Sequence, residues 1–185
     1  KALEAISKRT GTYHSRIEGG SSTAQGLVYQ EFDPSEHIYR DTPHGWDNPW
    51  TPPDNYTIRY AIDHHPSANN PDAVLFSATA PTGEVFFFHE IFDKLLTPSL
   101  CESMTEVMWG YHVAMGLIDP IAFIENPNDG STTVSAFEES GISPMKAAKD
   151  PSRGWRETNQ ALKEFTPHGF RRVRFYEGLR RTLWE

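Results

Sequence analysis

Between Thr57 and Glu90 the chain carries three runs rich in β-branched and aromatic residues: Thr57-Ile-Arg-Tyr-Ala-Ile-Asp63, Asp72-Ala-Val-Leu-Phe-Ser-Ala78 and Glu84-Val-Phe-Phe-Phe-His-Glu90. Such residues suit the pleated, half-buried surface of a sheet. Pro81-Thr-Gly83 joins the second run to the third by a tight turn, so the three predict an antiparallel meander. Each run begins or ends on a carboxylate, and a fourth, Ile121-Ala-Phe-Ile-Glu125, does the same. Clustered carboxylates are what hard divalent cations such as Mg²⁺ bind, and the pattern points to metal-dependent phosphodiester chemistry.

The 185 residues, 37% hydrophobic and 12% aromatic, are enough for one domain with a true core. No apolar run approaches the roughly 20 residues of a membrane-spanning helix, and Lys1-Ala-Leu-Glu is no signal peptide, so a soluble intracellular protein is expected, with no membrane partner. The single cysteine, Cys101, cannot form an internal disulfide and reads as a small core residue. The first residue is not Met and Thr182-Leu-Trp-Glu185 stops inside a helical pattern, which reads as a piece of a longer polypeptide, cut at both ends. Residues 1–25, with Gly19-Gly-Ser-Ser-Thr23, read as a leader or linker, and 26–185 as the domain.

A net charge of −8 looks wrong for a protein that handles nucleic acid, because Lys and Arg contacts to phosphate supply most of that affinity. The distribution is uneven, however. Residues 1–145 hold 7 Lys/Arg against 20 Asp/Glu, while 146–185 hold 10 against 5. The basic end includes Arg171, Arg172 and Arg174, candidates for a polyanion-facing side. Lys149 and Arg153, in Ala147-Ala-Lys-Asp-Pro-Ser-Arg-Gly154, sit in a loop before a helix and are candidates to meet phosphate. A solvated basic surface is the competing reading for all five.

Further elements follow from period and punctuation. Leu27–Phe32 and His37–Arg40 read as short strands, Ser99–Leu117 as a helix with Pro98 near its start, and Ile121–Glu125 as a buried strand. A crossover helix before that strand predicts parallel pairing with the Asp63 strand. Ser131–Ser140 ended by Gly141 is a capped helix, Ile142–Ala148 a strand, Gly154–Phe165 a helix, Arg171–Phe175 a strand and Tyr176–Trp184 a helix. The fold class is therefore α/β: a mixed central sheet, antiparallel meander plus parallel strands, flanked by helices.

Asp63 ends a buried strand, where open sheets keep their ligands. Glu125 ends the strand expected beside it, at roughly the 4.8 Å strand spacing. Two carboxylates that close repel unless a cation sits between them, so Asp63 and Glu125 are the expected catalytic metal ligands. Asp72, opening the second strand, and Glu90, closing the third, are secondary metal candidates; Asp119 and Asp129 read as turn residues. His64, His65 and His89 raise a zinc alternative, but adjacent histidines on extended backbone face opposite sides and rarely share one ion.

The order of these motifs resembles the C-terminal nuclease domain of tailed-bacteriophage terminase large subunits, which has an RNase H-like fold. Gly26-Leu-Val-Tyr-Gln-Glu-Phe-Asp33 with His37 looks like the segment after the family's ATPase domain. Tyr60-Ala-Ile-Asp63 with Asn70-Pro-Asp-Ala-Val-Leu-Phe76 looks like its first acidic strand, Ile121-Ala-Phe-Ile-Glu125-Asn-Pro its second acidic motif, and Lys149-Asp-Pro-Ser-Arg153-Gly its basic loop. The resemblance implies an endonuclease of little sequence preference that cuts concatemeric double-stranded DNA into genome lengths with Mg²⁺ or Mn²⁺, two ions being expected. It also implies an ATPase domain on the same polypeptide, a portal and a small terminase subunit as partners, and the cytoplasm of an infected bacterium as the place of action. Two departures stand out: His64 and His65 occupy the place of a glycine that often follows the first acid, and the family's third acid would lie beyond Glu185. A catalytically silent RNase H-like domain that grips DNA or a partner, and a resolvase- or transposase-type nuclease, are the alternatives.

Overall fold

The computed structural model describes residues 29, 31–39, 50–65 and 70–184. The leader expected over 1–25 and most of the strand expected at Leu27–Phe32 lie outside the described residues.

Among the described residues the meander forms as the apolar runs require. Strands β2 (Thr57–Asp63), β3 (Asp72–Thr79) and β4 (Val85–Asp93) pair antiparallel in sequence. Gly83, at φ +91, makes the β3–β4 turn, with its N–H donating to the Ala80 carbonyl. The other elements are helix α1 (Pro34–His37), strand β1 (Ile38–Tyr39), helix α2 (Thr97–Met108), strand β5 (His112–Ile118), a 3₁₀ turn (Pro120–Phe123), helix α3 (Thr133–Glu139), strand β6 (Met145–Lys146), helix α4 (Pro151–Lys163), strand β7 (Val173–Tyr176) and helix α5 (Arg180–Trp184). They build one mixed sheet in the order β1-β7-β4-β3-β2-β5-β6. This is the α/β architecture expected, and it is consistent with an RNase H-like fold.

Two expected boundaries are corrected. The helix expected over Ser99–Leu117 ends at Met108, because Gly110 turns the chain at φ +81. Tyr111, Val113 and Met115 then continue as strand approach and strand rather than as helix face. In consequence β5, not Ile121–Glu125, is the parallel partner of β2, with Ile58 opposite Val113 and Ile62 opposite Ile118. Asp119 caps the 3₁₀ turn by accepting from the Ile121 N–H at 2.8 Å, and Pro120 supplies its first position.

One face of the sheet carries the core. Alternation sends Tyr60, Ile62, Val74, Phe76 and Ile118 to the same side, where Leu100, Cys101 and Met104 of α2 and Val134 and Phe137 of α3 close over them. Phe76 is fully buried, which contributes roughly 2–3 kcal/mol of transfer free energy. Towards the other end, Trp50, Tyr56, Tyr39 and Phe86 pack around Ile58 and Ala78. Thr132 and Ser135 form a reciprocal capping box on α3, and Asp150 caps α4.

Candidate metal and phosphate site at the strand ends

β2 is parallel to β4, β5 and β7, so the C-terminal ends of these strands lie at one end of the sheet. Asp63 is the last residue of β2 and is exposed. Because Ile62 pairs with Ile118, the residue after each is an aspartate: Asp63, the last of β2, and Asp119, immediately past β5. Neighbouring strands run roughly 4.8 Å apart, so these two positions are adjacent.

Asp119 is partly exposed. The Ile121 N–H holds its carboxyl below the ordinary carboxylate range, and Lys149 adds to the effect. Lys149 Nζ lies 3.4 Å from Asp119 Oδ2. Lys149 follows β6, which is parallel to β5, and this topology brings a cation to the acidic strand ends. Arg153, expected in the loop before the helix, is instead in the first turn of α4, its guanidinium donating to Glu157 Oε1 at 2.7 Å.

The other expected site residues fall elsewhere. Glu125 is exposed beyond the 3₁₀ turn and ends no strand, so the position beside Asp63 expected for it belongs to Asp119. Asp72 is 1% exposed, and its Oδ1 accepts from the His65 N–H at 2.9 Å. Glu90 accepts from the backbone N–H groups of Arg181 and Thr182 at 2.8 and 2.9 Å and from the Thr182 hydroxyl at 2.8 Å. Both its oxygens therefore hold the start of α5.

The three late arginines also have partners within the chain, Arg172 from an exposed position. Arg171 pairs with Glu36, donates to the carbonyls of Leu162 and Lys163, and lies over the Phe165 ring. Arg172 pairs with Glu164 and reaches the Gly83 carbonyl, at the N-terminal ends of β4 and β7. Seven residues of β2 at about 3.3 Å each put that end roughly 20 Å from Asp63. Arg174 sits among the rings of Tyr39, Phe86 and Phe170, where burial lowers its pKa. Of the five basic residues expected to meet DNA, Lys149 lies beside Asp119 at the acidic end, while Arg171, Arg172 and Arg174 have partners elsewhere in the fold.

By sequence alone Asp119 reads as a turn residue. The signal that identifies it is the glycine at 110, which ends the helix early enough for His112–Ile118 to be the strand. Among the described residues no group of three or more His, Cys, Asp or Glu is placed to hold a metal ion. His64 Nδ1 faces Asp72, and His65 and His89 are exposed. Two hard oxygen donors still suit Mg²⁺, which keeps several waters and is commonly held by one or two carboxylates together with substrate phosphate.

No protein-family model matches the chain, and no curated protein matches it. Solved structures do. The large terminase from a thermophilic bacteriophage, in complex with ADP, aligns at TM-score 0.56 and 16% identity, over 82% of this chain and 34% of that one. A second crystal form of the same terminase gives TM-score 0.55 over 82% of this chain and 33% of that one. The chain spans about a third of the length of these proteins. At this identity the likeness is one of fold. Among the described residues no helix is long and apolar enough to cross a membrane.

Proposed function

We propose that this chain is a divalent-metal-dependent endonuclease domain of a viral DNA-packaging terminase, with Asp63 and Asp119 as its first two metal ligands. The observation that carries the reading is the Ile62–Ile118 register, which makes two aspartates neighbours at the open end of a sheet whose fold is shared with a phage large terminase. The carboxylates would hold Mg²⁺ or Mn²⁺, two ions being the working number. Such ions supply the attacking oxygen nucleophile and offset charge on the phosphate being cut. Lys149, beside Asp119, would meet the phosphate backbone, and Arg153 would extend that contact along the first turn of α4.

On this reading the substrate is double-stranded DNA, the site of action is the cytoplasm of an infected bacterium, and the partners are an ATPase domain on the same polypeptide, a portal and a small terminase subunit. A second reading, a silent domain that grips DNA without cutting it, draws on the grouping of two rather than three carboxylates among the described residues. Nicking of supercoiled plasmid in Mn²⁺ separates the two. Activity in the wild-type chain that disappears in Asp63→Ala and Asp119→Ala, and survives in Glu125→Ala, supports the nuclease and its ligands. Equal activity in all three variants removes the site. Plasmid binding without nicking favours the silent domain.

A further inference from the structure

The residue opposite the end of β2 is not a neutral spacer. Ala73 is the register partner of Asp63, so Asp72 stands across from the chain as it leaves Asp63. Asp72 is 1% exposed, and a buried carboxylate needs partners to offset lost hydration. The residues directly after Asp63 meet it: the His65 N–H donates to Oδ1 at 2.9 Å, and His64 Nδ1 lies 2.7 Å from the same oxygen, within ion-pair range but outside hydrogen-bond geometry. The His64 ring then meets Phe137 of α3 edge-on, with centroids 5.6 Å apart and planes at 89°. Phe137 is fully buried, and α3 packs against the 3₁₀ turn that Asp119 caps. The segments leaving both acidic strand ends are therefore wedged against one helix.

We propose that Asp72 is a positioning residue that acts through His64 and His65 to fix the direction of the Asp63 carboxylate, and that His64 on Phe137 sets its separation from Asp119. The inference rests on the metal site proposed above and changes the part of Asp72 from ligand to support. Burial decides between the two: a ligand must offer an oxygen to a hydrated cation, and Asp72 points its carboxylate at the chain behind the site. Removing a group that orients a metal ligand typically costs roughly 10- to 100-fold in affinity.

The test is Mn²⁺ affinity, measured by calorimetry on the 185-residue chain and its variants well below each melting temperature. Asp63→Ala is expected to lose measurable binding, and Asp72→Asn and His64→Ala each to weaken it roughly 10- to 100-fold while folded. His64→Ala is decisive because it leaves every carboxylate in place; Phe137→Leu replaces Asp72→Asn should that variant fail to fold. Wild-type affinity in folded His64→Ala, with binding lost in Asp63→Ala, overturns the positioning inference alone. Lost binding in Asp72→Asn with normal binding in His64→Ala makes Asp72 a ligand and also overturns it. Unchanged binding in Asp63→Ala, or none in the wild-type chain, overturns the metal site and this inference with it.

Discussion

Lys149 places its ammonium group 3.4 Å from Oδ2 of Asp119, at the sheet end where Asp63 leaves β2. Arg172, with Glu164 and the Gly83 carbonyl as partners, stands at the opposite end. Lys149→Ala is therefore expected to weaken duplex DNA binding and to reduce the slope of log affinity against log salt by about 0.9, the loss of one phosphate contact. Arg172→Ala should leave that slope unchanged and lower stability by at most about 1 kcal/mol, as exposed ion pairs do. Fluorescence anisotropy across a salt series reads the first effect and urea unfolding the second. Equal slope changes in both variants would refute the assignment.

Tyr60 and Gly116 are register partners, and a Cβ at Gly116 would stand 1.9 Å from Tyr60 Cζ. Glycine is there for space, since its backbone is ordinary strand. Gly116→Ala should cost about 1–3 kcal/mol through overpacking, measured by urea unfolding. Adding Tyr60→Val, which removes the ring, should make the double variant less destabilised than the two single changes summed. Additive losses would show that the contact is not the cause.

Glu90 supplies the oxygens that the first N–H groups of α5 require. Glu90→Ala should destabilise that helix by about 1 kcal/mol, as cap removal does. Hydrogen exchange of the Arg181 and Thr182 amides should speed up. Mn²⁺ affinity should not change, and a loss of affinity would return Glu90 to the candidate ligands.

The Tyr60 phenol is pushed up to about 12 from 10.0 by burial, and burial raises Tyr39 as well. With the folded-state value raised, the unfolded chain releases the proton first as pH climbs. The stabilisation is complete below pH 10 and disappears as pH rises through the folded value, between about 10 and 12 for Tyr60. Absorbance at the phenolate band and far-ultraviolet circular dichroism, followed together, should show the last tyrosines ionising only as the fold is lost. Full ionisation of all tyrosines in a folded chain would contradict this.

The meander can be read from the residues because its causes are local. Each run is rich in β-branched and aromatic residues, and Gly83 with Pro81 specifies the turn between β3 and β4. Asp63 can be placed at a strand end for the same reason, and so can the capped helix that begins at Thr133, whereas the helix expected from Gly154 starts three residues earlier, at Pro151. Periodicity misleads over Ser99–Leu117. Met104, Val107, Met108, Tyr111 and Met115 recur at intervals that fit a helix, and a short apolar run does not distinguish a helix from a buried strand. The glycine at 110 decides the matter in the folded chain.

Propensity and turn chemistry act over a few neighbouring residues, so the order of residues is enough to specify the fold class, the meander and the acidic end of β2. Which acid stands beside Asp63 is settled by folding alone, since the Ile62–Ile118 pairing joins segments more than 50 residues apart. The same holds for Arg171, which belongs to Glu36, 135 residues away, and for Asp72, which faces inward to His64 and His65. A charged side chain takes its role from whatever the register and the packing set across from it, and neither is written in its own neighbourhood.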